Sequence, residues 1–197
     1  TGATPGRLLT LPAFGALFSA EALAADVELA IGRVGLLFSD LAVPTGRYER
    51  SGVARAFRLG GQHFARLRAA IDADGGALVK TIGDAVMAAF PDGRAALAAG
   101  RAMQAAMRAF DVGGLADPTR LLKVGVHAGP CYAVTMNDRL DYFGMAVNLA
   151  ARAGNAADGG EIVATQAVID EVPEAGAALA AEPFTVPLKG LRDPVRL

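Results

Sequence analysis

The segment Lys80-Thr81-Ile82-Gly83-Asp84 constrains the fold of this 197-residue chain more than any other stretch. It places a cation, a glycine and a carboxylate between two apolar runs, residues 77–79 and 85–90. Apolar β-type runs separated by a turn that contains glycine are typical of a β-hairpin. The pattern therefore predicts a hairpin over residues 77–90, with Gly83 in the turn and Asp84 at its tip.

A second carboxylate, Asp40, ends another apolar run at residues 34–39. Two carboxylates at the ends of neighbouring strands suit a pair of hard divalent cations, because Mg²⁺ prefers oxygen ligands and shares them with phosphates. Nucleotide chemistry is therefore the first hypothesis for the function of the chain.

Composition excludes several other classes of protein. The chain is 53% hydrophobic, yet none of its apolar runs approaches the roughly 20 residues of a membrane span, so we expect no membrane segment. A net charge of −1 argues against a nucleic-acid partner. The single cysteine, Cys131, cannot form an intrachain disulfide, which favours a reducing, cytoplasmic location. A packed structural role for Cys131 is favoured over a reactive thiol.

The predicted domain covers residues 33–197. Residues 1–32 mix proline, glycine and short apolar clusters without a clean period, so we interpret them as a linker or the tail of an upstream module, with a short helix near residues 20–25. Because the first residue is Thr1, we expect the sequence to be part of a longer protein with a regulatory domain upstream.

Hydrophobic periodicity predicts an α+β fold. A helix is expected over residues 48–74, broken or kinked at Gly60-Gly61. A second helix should begin at residue 93 and face the core with Met103, Met107 and Phe110, and a third should cover residues 146–154. Besides the hairpin, strands are expected near residues 34–40, 121–127, 131–136, 161–164 and 184–190. This mixture of hairpins and crossovers favours a ferredoxin-like βαββαβ-type sandwich, in which helices pack on a mixed sheet.

Six motifs identify a family. They are Phe38-Ser39-Asp40-Leu41, Lys80-Thr81-Ile82-Gly83-Asp84, His127-Ala128-Gly129-Pro130, Leu140-Asp141-Tyr142-Phe143-Gly144, Val147-Asn148-Leu149-Ala150-Ala151-Arg152 and Leu188-Lys189-Gly190. In this order they resemble the class III adenylate and guanylate cyclase catalytic domain of the bacterial type, across about residues 34–197.

The resemblance implies an adenylate cyclase, a phosphorus–oxygen lyase that converts ATP to 3′,5′-cyclic AMP and pyrophosphate. It implies a head-to-tail homodimer with active sites at the subunit interface. Asp40 and Asp84 match the two aspartates that bind two Mg²⁺ or Mn²⁺ ions, one of which helps to deprotonate the ribose 3′-hydroxyl. Lys80 and Asp141 match the pair that reads the purine ring, and guanylate-making relatives typically carry Glu and Cys there.

The remaining matched residues concern the ribose and the phosphates. Asn148 and Arg152 match the transition-state pair, in which the asparagine orients the ribose and the arginine stabilises charge on the α-phosphate. Lys189 matches the lysine that reaches the β- and γ-phosphates. Thr45 lies in the segment whose backbone N–H groups bind phosphate in the family. That segment departs from the family pattern at Val43-Pro44, because Pro44 has no N–H to donate.

Alternatives stay open at this point. The Lys80 and Asp141 pair favours ATP over GTP, but a guanylate or promiscuous cyclase would keep the same fold. The Val43-Pro44 departure is compatible with a non-catalytic nucleotide-binding or dimerisation module. Of the two histidines, His63 is interpreted as a flanking helix residue and His127 as a structural hydrogen-bonding residue.

Overall fold

The computed structural model describes residues 28–42, 53–110, 117–136, 139–178, 185–186 and 195–196. Strands and helices alternate along the chain and form an α+β domain. In chain order they are β1 Leu29–Leu41, α1 Val53–Ala73, β2 Ala77–Ile82, β3 Ala85–Phe90, α2 Gly93–Arg108, a 3-10 turn Pro118–Arg120, β4 Leu122–Met136, β5 Arg139–Phe143, α3 Met145–Ala156, β6 Ile162–Ala164, α4 Gln166–Ile169, α5 Pro173–Ala178, β7 Thr185–Val186 and β8 Val195–Arg196.

Six of the described strands form one mixed sheet in the order β2-β3-β1-β4-β5, with β6 paired to β4. The central strand β1 is antiparallel to both β3 and β4, and β6 is the parallel neighbour of β4. Strands β7 and β8 form a separate antiparallel pair. The mixed sheet with helices packed on it confirms the predicted fold class.

Alternation along the strands divides the core between the two faces of the sheet. Leu37 belongs to a buried cluster that includes side chains of α1 and α2, such as Leu67 and Met103. Its neighbour Leu36 belongs to a second cluster on the opposite face, where Ala146 of α3 packs. Helices therefore cover both faces, and α3 lies on the face opposite to α1 and α2.

The predicted hairpin is confirmed as β2 and β3. Gly83 lies in its turn with a φ of +64°, a conformation that L side chains rarely adopt. The helix predicted from residue 93 is also confirmed, because Asp92 caps its first turn by accepting a hydrogen bond from the Ala95 N–H at 2.8 Å. Met103 and Met107 are fully buried, as expected of core residues.

The expected break at Gly60-Gly61 is wrong, since α1 runs unbroken from Val53 to Ala73; the alternative of a kink there stays a prediction. A Cβ on Gly61 would have open space around it, so this position carries no packing constraint. Each interior glycine costs only about 1 kcal/mol relative to alanine. The buried side chains of Leu67 and Ile71 anchor the helix strongly enough to outweigh that cost.

The expected end of a strand at residues 128–130 is also wrong, because β4 continues through Pro130 to Met136. The partner strand β1 accommodates the proline with a bulge. Ile31 pairs with Cys131 and Val34 with Gly129, so two residues of β1 lie opposite the single residue Pro130. The bulge removes the need for the N–H that proline lacks.

Other differences are smaller. β1 begins at Leu29, before the predicted start at residue 34, and β5, α4 and α5 were not expected as separate elements. Of the predicted strand at residues 184–190, only Thr185–Val186 is described, and it is a strand. The short helix near residues 20–25 lies outside the described residues, and the assignment of residues 1–32 to an upstream module stays a prediction. None of the described helices is long and apolar enough to span a membrane.

Candidate active site

The carboxylates of Asp40 and Asp84 come together because β1 and β3 are neighbours. Ser39 near the end of β1 pairs with Val86, two residues after the hairpin turn that contains Asp84. Burial raises the pKa of Asp40, and the charge of the Asp84 carboxylate and a hydrogen bond with that group raise it further. The strand pairing therefore brings the two carboxylates together at one end of the sheet, as the sequence predicted.

These donors fit a divalent-cation site. Two facing carboxylates repel each other, and a hard cation bound between them would relieve that repulsion. Within the described residues there is no cluster of three or more His, Cys, Asp or Glu side chains that would complete a metal site. Mg²⁺ is commonly held by one or two carboxylates, with substrate phosphates and water as further ligands. The residues present are suited to that mode of binding.

A cleft with two cationic side chains adjoins Asp40. Lys123 lies directly opposite Asp40 in the β1–β4 register, so both side chains leave the same face of the sheet. The positive charge of Lys123 acts to lower the pKa of Asp40. The cleft has a volume of about 460 Å³ and is lined by Asp40, Leu41, Ala42, Arg120, Lys123, Asp158 and Gly159.

Sequence reasoning missed Lys123 and Arg120. The signal for Lys123 was a single charged residue inside the apolar run of residues 121–126, where alternation places it on one face of a strand. Its position opposite Asp40 depends on the strand register, which the local sequence does not reveal.

Lys80 and Asp141 form an ion pair although 61 residues separate them in the sequence. Lys80 Nζ lies 2.5 Å from Asp141 Oδ2, and the side chains are 37% and 11% exposed. The other carboxylate oxygen of Asp141 accepts a hydrogen bond from the Tyr142 N–H at 2.8 Å. The structure thus brings together the carboxylate of Asp141 on β5, a fixed hydrogen-bond acceptor, and the half-exposed ammonium group of Lys80 on β2, a donor.

Asn148 and Arg152 lie four residues apart on α3, so they share one side of that helix. The helix begins after Gly144, whose φ of 136° suits glycine, and it packs on the sheet through small residues that include Ala150 and Gly154. Asn148 is exposed and Arg152 is half-buried. Both residues therefore lie off the packed side of the helix.

Thr45 and Lys189 lie outside the described residues.

His63 is buried, so its interpretation as a flanking residue is wrong. It is 1% exposed, and neither ring nitrogen has a hydrogen-bond partner among the described residues. Burial lowers the pKa of His63 to about 4, while the charge of Asp40 acts in the opposite direction. An unpartnered buried polar group costs about 1–3 kcal/mol. The signal for burial was the spacing of four residues between His63 and the core residue Leu67.

The other expected structural residues behave as predicted. His127 Nδ1 lies 2.8 Å from the Thr165 hydroxyl oxygen in the core. Burial lowers the pKa of His127 to about 4, the charge of Arg33 lowers it further, and Glu171 opposes the shift. Cys131 is buried, and burial raises the pKa of its thiol to about 11. A thiol with that pKa is a poor nucleophile, which fits a packed role.

A match to a family model gives the class of protein. The sequence model of the adenylate and guanylate cyclase catalytic domain matches residues 28–193. The chain belongs to this family.

Relatives and solved structures agree with that assignment. The chain is 35% identical to an adenylate cyclase of Mycosarcoma maydis over an alignment of 167 residues, and the match covers 75% of this chain and 7% of the fungal protein. It is 36% identical to an uncharacterised protein of Mycobacterium tuberculosis over 163 residues, 82% of this chain and 39% of that protein. The chain thus spans only a minor part of both relatives. A monomeric adenylate cyclase structure from Trypanosoma brucei matches the fold with a TM-score of 0.72 at 23% identity, covering 84% of this chain and 87% of that one.

Proposed function

We propose that this domain is an adenylate cyclase that converts ATP to 3′,5′-cyclic AMP and pyrophosphate. The observation that carries the choice of ATP is the Lys80–Asp141 ion pair. Adenine presents an amino donor and a ring-nitrogen acceptor side by side, which a carboxylate and an ammonium group complement. Guanine presents the opposite polarity at those positions. A buried polar site that meets the wrong pattern is left with unpaired groups, so it discriminates strongly.

The residues of the chain would divide the reaction among them. In cyclisation the ribose 3′-oxygen attacks the α-phosphorus, the bond from that phosphorus to the bridging oxygen breaks, and pyrophosphate leaves. Asp40 and Asp84 would hold two Mg²⁺ or Mn²⁺ ions, which stabilise the attacking and leaving oxygens when bound. Asn148 would orient the ribose. Arg152 would stabilise the extra charge on the α-phosphate, because a guanidinium group stays charged and binds two oxygens at once.

The triphosphate would lie along the cleft beside Asp40. Lys123 and Arg120 supply positive charge there, and the volume of about 460 Å³ accommodates a chain of phosphates. Lys189 and Thr45 stay proposed phosphate-binding residues on the family resemblance.

A homodimer is supported by an apolar surface next to the purine-binding pair. Tyr132 of β4 and Phe143 of β5 are direct cross-strand partners, so their side chains share one face of the sheet, and Phe143 is 64% exposed. Ile82, Met136 and Met145 are further large apolar residues with exposed side chains. A patch of this kind is typical of a protein–protein interface. In the proposed head-to-tail dimer the partner's copy of the same surface would cover it.

Nucleotide selectivity tests the choice of substrate. We expect the wild-type domain to make cyclic AMP from ATP faster than cyclic GMP from GTP. The double variant with Lys80→Glu and Asp141→Cys should reverse that preference, because it inverts the donor and acceptor pattern. Arg101→Glu is a control for the loss of one exposed positive charge on α2, and it should leave the preference unchanged. A wild-type domain that prefers GTP would overturn the assignment to ATP.

Complementation tests the shared site. The metal carboxylates would come from one subunit and the transition-state residues from the other. Asp40→Ala and Arg152→Ala chains should therefore each be inactive alone, and mixing them should restore one working site in each heterodimer. If the mixture stayed inactive although heterodimers formed, the shared-site proposal would be wrong.

A further inference from the structure

Backbone donors on one wall of the cleft beside Asp40 are already used by the chain itself. At the end of β1, the Leu41 N–H donates to Asp40 Oδ1 at 3.0 Å. The Ala42 N–H donates to the Leu121 carbonyl oxygen at 2.8 Å. Pro44, two residues further along the chain, has no N–H. Phosphate groups that bind beside Asp40 therefore depend on donors from the other walls of the cleft.

The facing wall supplies two cationic side chains, Lys123 and Arg120. Lys123 lies directly opposite Asp40 in the β1–β4 register. The pairing continues outward to the hydrogen bond between Ala42 and Leu121, and Arg120 adjoins Leu121 beyond the end of the sheet. Along the cleft, Lys123 therefore lies beside the proposed metal ligand, and Arg120 lies farther out.

The 3-10 turn that ends at Arg120 is held on two sides. The Asp117 carboxylate caps it by accepting hydrogen bonds from the Thr119 N–H at 2.9 Å and from the Thr119 hydroxyl at 2.7 Å. On the other side two glycines pack against its backbone. A Cβ on Gly159 would lie 2.1 Å from the Arg120 carbonyl oxygen, and one on Gly160 would lie 2.3 Å from the Thr119 carbonyl oxygen. The backbone of Arg120 is therefore fixed at the wall of the cleft.

The guanidinium group of Arg120 is exposed on this fixed backbone. In the described part of the chain, the basic side chains that form ion pairs are those of Arg33, Arg68, Lys80 and Arg94. Arg120 belongs to none of these pairs. A guanidinium group stays charged and can bind two oxygens of one phosphate at once. Arg120 is therefore suited to an anionic ligand in the cleft.

The charge balance of the cleft depends on Arg120. The charged residues that line it are Asp40, Asp158, Lys123 and Arg120, so two negative and two positive charges balance. Without Arg120 the lining would carry a net negative charge, which repels phosphate groups. Binding of phosphate in this cleft should therefore be sensitive to the loss of this one side chain.

We propose that Arg120 binds the terminal phosphate of the substrate and makes the domain select a nucleoside triphosphate over a diphosphate. This inference rests on the proposed function, which places the α-phosphate at the cations held by Asp40 and Asp84. From there the phosphate chain would run past Lys123 toward Arg120. The terminal phosphate is thus the one that Arg120 would contact, and the guanidinium group takes the place of backbone donors that the end of β1 does not offer.

The experiment compares the binding of two nucleotides by isothermal titration calorimetry with Mn²⁺ present. The probes are 3′-deoxy-ATP and 3′-deoxy-ADP, which lack the attacking hydroxyl group, so no turnover occurs. We expect Arg120→Gln to raise the Kd for 3′-deoxy-ATP about 10–100-fold, the effect of losing hydrogen bonds to a charged group. The Kd for 3′-deoxy-ADP should stay unchanged. Because the side chain is exposed, the Tm should equal that of wild type.

Arg101→Gln is the matched control. It removes one exposed arginine from α2, away from the cleft, so both Kd values should stay at their wild-type level. An unchanged Kd for 3′-deoxy-ATP in Arg120→Gln would overturn the proposal. An equal loss of affinity for both nucleotides would overturn it too, because Arg120 would then act on the cleft as a whole and not on the terminal phosphate.

Failure of the proposed function gives a different result. Asp84→Ala removes a proposed metal ligand and should weaken the binding of both nucleotides in the presence of Mn²⁺. If the wild type bound neither nucleotide, or if Asp84→Ala bound both as tightly as the wild type, the metal-dependent nucleotide site would be refuted and the role of Arg120 with it. If Asp84→Ala weakened binding and Arg120→Gln did not, only the role of Arg120 would be wrong.

Discussion

Replacing Gly125 with alanine should damage both the fold and catalysis. Gly125 lies on β4 where α3 crosses the sheet, and a Cβ at this position would lie 1.9 Å from the Gly154 backbone nitrogen and 2.5 Å from the Ala150 carbonyl oxygen. Both are backbone atoms, so no side-chain rotation relieves the clash. The helix must move away from the strand by about 1.5 Å to reach an ordinary contact distance of 3.4 Å.

The magnitude follows from that displacement. Overpacking of a tight interior contact costs about 1–3 kcal/mol of unfolding free energy. Helix α3 carries Asn148 and Arg152, the proposed transition-state residues, and a misplacement of about 1 Å at a reacting group lowers the rate about 100-fold. We therefore expect Gly125→Ala to lose at least about 1 kcal/mol in urea unfolding and about 100-fold in kcat for cyclic AMP formation.

The opposite side of the same contact supplies the control. A Cβ on Gly154 would meet its nearest neighbour, the Gly125 nitrogen, at 3.5 Å, an ordinary contact. Because alanine favours a helix over glycine by about 1 kcal/mol, Gly154→Ala should be neutral or stabilising and should keep its activity. The reasoning is refuted if Gly125→Ala keeps wild-type stability, or if Gly154→Ala is the more damaging of the two.

Three further predictions concern stability and reactivity. The pKa of His127 is 6.5 as an ordinary histidine and about 4 in the folded chain. Between pH 4 and 6.5 the unfolded chain therefore binds more protons than the folded chain. Lowering the pH from 7 to 5 should therefore cost about 2 kcal/mol of unfolding free energy through this group, and His127→Gln should flatten the pH profile measured by urea titration. Cys131, with a thiol pKa of about 11, should react with iodoacetamide only after unfolding, and rapid labelling of the folded chain would contradict its packing. Gln104→Leu should cost about 2 kcal/mol in urea unfolding, because its side-chain amide donates to the carbonyls of Leu122 at 2.8 Å and Glu161 at 2.9 Å, and a neutral result would show that those carbonyls find other donors.

Short-range patterns predicted much of this domain because their causes are local. The turn at Gly83 and the start of α2 at Gly93 depend on residues close in sequence, and both are as expected. The two wrong boundaries, at Gly60-Gly61 and at Pro130, have a common cause. In each case a local helix or strand breaker is overruled by partners distant in sequence, the core under α1 and the bulge in β1.

The site residues likewise divide into those that local sequence patterns predicted and those that depend on distant strand pairing. The sequence named Asp40, Asp84, Lys80 and Asp141, and the register of the sheet brings the first two together and pairs the other two. The sequence alone did not place Lys123 opposite Asp40, because that neighbour is set by β1–β4 pairing across more than 80 residues.

The central claim is that this domain cyclises ATP with divalent cations held by Asp40 and Asp84. The most direct test is cyclic AMP production by the purified chain at high protein concentration with ATP and Mn²⁺, with Asp84→Ala as the blank. We expect metal-dependent cyclic AMP from the wild type and none from the variant. No product from a sample shown to be dimeric, or equal product from Asp84→Ala, would contradict the claim.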